Sequence, residues 1–145
     1  LQRAQQADAG VFVVVRSSNP EGAGLQLARL ADGHSVAEDL AAQISAVNAR
    51  AIAATGDPCG PIGAVVGATC DDAAQIVEQL PGAFILAPGV GAQGASFADI
   101  ARRMPNARGR VLPNVSRAIV AGGATLEELG RTIARPRDEG APHLA

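Results

Sequence analysis

A chain of 145 residues with 48% hydrophobic content is long enough for one core and too apolar to be disordered. A net charge of −2 with three Phe and no Trp or Tyr gives little to attract or stack nucleic acid. No apolar run approaches the ~20 residues of a membrane span, so neither a nucleic acid nor a membrane is expected as a partner.

All 12 basic residues are arginine. A chain without lysine cannot itself supply a lysine as general acid, and this limits every enzymatic reading. The opening LQRAQQADAG lacks the basic and apolar regions of a signal peptide. It begins without Met in the middle of an amphipathic pattern, which suggests the inside of a longer chain; a cytoplasmic location is expected from the cysteines. Cys59 and Cys70 stand alone, without metal-ligand spacing, and read as reduced thiols rather than a disulfide.

Residues 1–9 read as the last turns of a helix with Gly10 as its C′ residue. Residues 11–15, VFVVV, form a β-branched run expected to be a strand buried on both faces, ending in the polar segment RSSNPEG. A helix is expected over 23–30. Ser35 with Glu38 makes a capping box for another, carrying Val36, Leu40, Ile44, Val47 and Ile52 on one face and stopping at Thr55-Gly56-Asp57-Pro58. Residues 62–68 give a second strand, and Asp71 or Asp72 suits the start of the helix carrying Ala73, Ile76, Val77 and Leu80.

The organising stretch follows. AFILA (83–87) reads as a buried strand, stopped by Pro88 and opened by Gly89, Gly91 and Gly94. Gln93 is the one hydrogen-bonding side chain in that turn, and a helix starts at Ser96. A strand leading through a glycine loop into a helix suits a phosphate, with amide N–H groups expected to point outward; a plain tight βα turn is the bland alternative. Phe97, Ile100, Ala101 and Met104 mark a short helix closed by Pro105-Asn106. Residues 110–117 are a fourth strand, weakened by Pro113. A last helix is expected from 125 to about 135, with 136–145 a flexible tail.

The order is βαβαβαβα, with polar residues at each strand's carboxyl end, which predicts parallel strands covered by helices. An open doubly wound sheet and half of a (β/α)₈ barrel both fit, since a full barrel takes roughly 250 residues. A half barrel leaves two sheet edges unpaired. The strand ends supply Ser17, Ser18 and Asn19; Thr69; Gln93 with its glycines; and Ser116 with Arg117. Arg117 is the natural phosphate partner, because a guanidinium fork matches phosphate oxygens. Ser17 and Ser18 serve equally well as turn formers or as partners for a ligand's ring edge. His34 and His143 read as solvated, Asp8, Asp71, Asp72 and Asp99 as ordinary helix-end acids. No catalytic triad, paired-carboxylate motif or metal cluster stands out. The chain offers a place to bind and no group to do the reaction.

VFVVVRSSNPEGAGLQ, IGAVVGAT, FILAPGVGAQG and LPNVSRAI, in that order and spacing, resemble the carboxyl-terminal half of orotidine 5′-phosphate decarboxylase, in the branch found in mycobacteria and other actinobacteria. The resemblance covers residues 8–135. It implies a (β/α)₈ barrel of which this chain, 1–145, supplies the last four units. It further implies decarboxylation of orotidine monophosphate to uridine monophosphate in pyrimidine biosynthesis, with no metal or organic cofactor and usually as a homodimer. By motif, Ser18 would contact the pyrimidine edge and Pro88 shape its pocket. Gln93 would fold over the 5′-phosphate, Arg117 would bind it, and the backbone of Gly91, Gly94 and Ser116 would complete the cradle. The family's catalytic Asp-x-Lys-x-x-Asp segment belongs to the barrel's first half and has no counterpart here. The chain is therefore expected to need the missing amino-terminal half and to be inactive alone. The alternatives are a non-catalytic nucleotide-phosphate-binding half barrel, or another phosphate-binding (β/α)₈ enzyme.

Overall fold

The computed structural model describes residues 2–91, 94–123 and 125–144. The four apolar runs become β1 (Val11–Arg16), β2 (Ile62–Val66), β3 (Ile85–Pro88) and β4 (Val111–Asn114). They form one parallel sheet in the order β1-β2-β3-β4. A doubly wound sheet reverses direction at a switch point; here each strand lies beside the one before it, the winding of a barrel. The chain is thus a (β/α)₈-type half barrel.

Seven helices are described: α1 (Gln2–Gln6), α2 (Pro20–Gln26), α3 (Val36–Thr55), α4 (Ala73–Glu78), α5 (Phe97–Arg103), α6 (Arg117–Val120) and α7 (Leu126–Leu144), with a 3₁₀ turn at Pro105–Ala107. Reciprocal capping boxes start α3 (Ser35 with Glu38) and α5 (Ser96 with Asp99). Thr125 and Glu128 bond each other in the same way at the start of α7. In each box the acid receives the cap's N–H, and the bonds from Ser35 and Ser96 hold Glu38 and Asp99 below the usual carboxylate range.

The helices cover one face of the sheet. Along β2 and β3 the alternate residues Ile62, Ala64, Val66, Ile85 and Ala87 are buried, with Val15 and Val111 beside them. Ala37, Ala41 and Ile44 of α3, Ile76 and Val77 of α4, and Phe97 and Ile100 of α5 close over them, with Leu80 and Met104 filling between. Burying a side chain of that size contributes about 2 to 3 kcal/mol.

Several expectations are corrected. The β1 run is not buried on both faces: Phe12 is 46% and Val14 54% exposed, and Phe84 and Leu112 are exposed on neighbouring segments. The inner face of a barrel wall is written as apolar as its outer face, so the residues look buried although no second layer stands here. Gly10 is not the left-handed residue after α1; Asp8 takes that conformation (φ 50°). Gly10 is needed because a Cβ there would lie 2.9 Å from Pro61 O. The second helix spans 20–26 instead of 23–30, because Pro20 sits comfortably at its first position behind Asn19. The second strand stops at Val66, short of Ala68.

The fourth strand is cut to 111–114, and Arg117 opens a short helix that the pattern did not suggest. Pro113 is tolerated because β4 is an edge. Ile85 N–H donates to Arg110 O, so the parallel ladder turns the backbone groups of Arg110, Leu112 and Asn114 toward β3 and those of Val111 and Pro113 away from it. The tail from 136 is not loose: α7 runs through Pro136 and Pro142 to Leu144. Docking compensates for the lost N–H bonds. Gly109 N–H donates to Leu144 O, and Gly140 is buried against the ring of Phe97.

The amino ends of the strands are stitched by polar groups. Asn48 of α3, fully buried, donates to Ile62 O (2.7 Å) and accepts from Ile62 N–H (3.0 Å). Arg110 donates to the carbonyls of Leu80, Ala83 and Asn106. This end carries the fold's anchoring, which leaves the carboxyl ends for loops.

Candidate functional site

Each strand's carboxyl end feeds a loop, and parallel pairing brings the four loops to one end of the sheet. β1 ends in Arg16, followed by Ser17, Ser18 and Asn19. The register between β1 and β2 slips between Val14 and Arg16, a bulge of the kind that re-aims a side chain. Arg16 Nε donates to both carboxylate oxygens of Asp72 (3.0 and 2.9 Å). Asp72 stands at the expected start of α4, where its carbonyl accepts Ile76 N–H, but its side chain makes no cap bond and is given to this ion pair instead. Burial pulls the Arg16 pKa down, yet the hydrogen bond it donates to Asp72 and the charges around it leave the guanidinium above its ordinary range.

Ser18 lies against the end of β2. A Cβ on Gly67 would stand 2.9 Å from Ser18 N and 3.0 Å from Ser18 Cβ, so only glycine allows this approach. Ser17, Ser18, Thr69 and Arg16 line a hollow of about 170 Å³. Gly67 N–H donates to Arg16 O and Ala68 N–H to Pro88 O, which ties the ends of β1, β2 and β3 together. Pro88 in turn pairs in register with Asn114 of β4. Ser18, Pro88 and Ser116 thus lie at the same end of the sheet, after β1, at the end of β3 and after β4, with the end of β2 between the first two.

The third and fourth loops meet. Gly91, held at φ 72°, is close enough to α6 that a Cβ on it would touch Ala118 Cβ at 3.9 Å. Arg117 immediately precedes Ala118, is exposed, and its side chain has no hydrogen bond or ion pair with any other described residue. Ser116 Oγ donates to Asn114 Oδ1 (2.9 Å). Gln93 lies outside the described residues. The expectation that the glycine loop turns its amides outward is corrected at two positions. Gly91 N–H donates to Ala95 O (2.9 Å) and Gly94 N–H to Gly91 O (3.0 Å). Those donors shape the turn instead of standing open.

A larger cavity, of about 440 Å³, lies behind these loops, where Val90, Gly91, Val115 and Ala118 face Arg131 and Arg135 of α7. Arg117 does not line it, and both α7 arginines are paired with glutamates of their own helix. Its walls are residues that follow β3 and β4, closed by α7.

The histidines are exposed, His34 beside Asp32 at 3.3 Å. No group of three metal-ligating side chains occurs among the described residues. Both thiols are free, Cys59 half-buried and Cys70 buried, and burial pushes the Cys70 thiol up against the pull of Arg16. At pH about 8, iodoacetamide is expected to modify Cys59 at least about tenfold faster than Cys70, because only the accessible thiolate reacts. Peptide mass spectrometry over a time course reads this, and equal native rates contradict it.

The sequence pattern brought out Ser18, Pro88, the glycines and Arg117. It missed Arg16, Gly67 and the pairing of Asp72 with Arg16. An arginine closing an apolar strand directly before Ser-Ser-Asn-Pro was the available signal. Its partner 56 residues away could not be read without the fold.

The family model for "Orotidine 5′-phosphate decarboxylase / HUMPS family" matches residues 1–131. An orotidine 5′-phosphate decarboxylase of Myxococcus xanthus is 41% identical over 137 residues, covering 93% of this chain and 46% of the relative. One of Streptomyces coelicolor is 42% identical over 131 residues, covering 90% and 45%. A crystal structure assigned to the same enzyme from Streptomyces avermitilis superposes with a TM-score of 0.84 at 36% identity, covering 99% of this chain and 48% of that one. The chain spans about half the length of the curated relatives it matches.

Proposed function

Because this chain belongs to the orotidine 5′-phosphate decarboxylase / HUMPS family and forms its carboxyl-terminal half, we propose that it supplies the nucleotide grip of a decarboxylase that converts orotidine monophosphate to uridine monophosphate and CO₂. The observation that carries this reading is the contact between the third and fourth loops. It brings Ala118, the neighbour of Arg117, against Gly91 of the glycine turn, and the Arg117 side chain pairs with no other described residue. Arg117, with the backbone of Ser116 and of the Gly91–Gly94 turn and the side chain of Gln93, takes the 5′-phosphate. Since the Gly91 and Gly94 amides bond within the turn, they serve by shaping it, or donate only after it opens. Ser18 and Pro88 take the pyrimidine, from the carboxyl ends of β1 and β3 on either side of β2.

The phosphate is remote from the bond that breaks, and holding it converts binding energy into orientation at the reacting carbon. Protonating the C6 carbanion left by CO₂ needs an acid that this lysine-free chain does not contain. In this reading the complementary half barrel brings an Asp-x-Lys-x-x-Asp segment. Its lysine donates that proton while its aspartates crowd the substrate carboxylate and hold the lysine. The partners are thus the nucleotide, the complementary half and, at the level of the whole barrel, a second subunit. No cofactor is required. No described helix is long and apolar enough to cross a membrane, in keeping with a cytoplasmic enzyme.

Mixing this chain with a first-half polypeptide bearing that segment, and following the absorbance of orotidine monophosphate, tests the reading. Turnover is expected in the mixture and in neither half alone. Halves that associate yet neither turn over substrate nor bind uridine monophosphate overturn it.

A further inference from the structure

The segment carrying Ser18 is held from four directions. Besides its contact with Asp72, Arg16 donates from Nη1 to Ser17 O (2.8 Å). Gln26, buried on α2, accepts Ser17 N–H on its Oε1 (2.9 Å). Asn19 N–H donates to Ser17 Oγ (3.1 Å), which curls the turn on itself. Gly67 forms the floor, with no room for a side chain beneath Ser18.

We propose that Arg16 is a positioning residue for the nucleobase contact: clamped by Asp72 at the start of α4, its guanidinium fixes the height and direction of Ser17-Ser18 above the strand ends. This rests on the reading of Ser18 as the pyrimidine partner. The bulge between Val14 and Arg16 takes the side chain out of the alternation of β1 and lets it reach across to the second βα unit. The Arg16 and Asp72 side chains are only 13% and 26% exposed; the carboxylate shares the Nε–H of the planar cation between both oxygens, while a second N–H of the same rigid group holds Ser17 O. One guanidinium therefore links α4 to the carbonyl of Ser17, one residue before the proposed base contact. A hydrogen bond to a base edge is sensitive to displacement, and a shift of about 1 Å in such a group costs up to roughly a hundredfold. The phosphate end, set by the third and fourth loops, does not depend on this clamp.

That independence gives the test. Arg16→Met, Arg16→Lys and Asp72→Asn are introduced into this chain, each is combined with the complementary half, and binding of uridine monophosphate and of ribose 5-phosphate is measured by calorimetry. Arg16→Met is expected to weaken uridine monophosphate roughly tenfold or more, with ribose 5-phosphate unchanged within about twofold. Arg16→Lys is expected to recover part of the loss, since it keeps the charge without the fork. Should Arg16→Met fail to fold, Asp72→Asn, which keeps shape and an acceptor oxygen, is expected to show the same selective loss. Unchanged uridine monophosphate affinity overturns the proposal. So does an equal loss for both ligands, the sign of a general loosening. An unsubstituted assembly that binds ribose 5-phosphate with the same affinity as uridine monophosphate removes the base contact and this proposal with it. One that binds neither overturns the decarboxylase reading itself.

Discussion

Replacing Asn48 by alanine is expected to lower the stability of the chain by about 3 kcal/mol, measured by urea unfolding. The side chain is fully buried and satisfies both backbone groups of Ile62, at the first residue of β2. Truncation leaves a buried N–H and a buried C=O without these partners, and each costs about 1 to 3 kcal/mol. Water cannot readily take over, because Gly60 packs directly on the amide: a Cβ at Gly60 would run into the Asn48 side chain. Asn48→Leu, which keeps the same branched layout of heavy atoms but is bulkier, should do no better, since the loss lies in hydrogen bonding. Asn48→Asp should be worse at neutral pH, for it loses the donor and buries a charge. A change in stability below about 1 kcal/mol for Asn48→Ala would show that Ile62 finds other partners.

Arg117→Ala is expected to weaken uridine monophosphate binding by the assembled barrel by roughly thirtyfold to a hundredfold, corresponding to about 2 to 3 kcal/mol for a charge-assisted contact with phosphate. Uridine, which lacks the phosphate, should bind the variant and the parent alike. The fold should be unaffected, because the Arg117 side chain is exposed and joined to no other described residue by a hydrogen bond or ion pair. Stability and affinity therefore separate here, where at Asn48 they do not. Arg117→Lys should restore charge but not bidentate geometry, giving an intermediate affinity. Undiminished binding by Arg117→Ala would remove the anion site from this loop.

The contrast between these residues shows what could be read from the sequence. Strands and their carboxyl-end loops were legible because apolar runs end abruptly in Ser, Asn, Gly and Pro, and because Ser35 and Ser96 carry their acids three residues on. Asn48 gave no such signal. It sits among alanines and valines on a helix, and its partner is a backbone group of another element. Phe12 and Val14 looked buried because apolarity reports what a face is written to meet, not what stands against it. The helix beyond Arg135 was hidden by its two prolines, since local propensity does not register the docking of Gly140 on Phe97. Arg117 was visible, but the contact of its neighbour Ala118 with Gly91 depends on the packing of two βα units.

The outward-facing Pro113 has a bearing on misassembly. A strand approaching the free side of β4 finds an acceptor there but, at its middle, no hydrogen to receive. Copies queuing edge to edge would meet that interruption at every joint, so the ladder is poorly suited to extend into a fibre. One imino acid thus discourages open-ended growth while still permitting a single, well-fitted neighbour to seat.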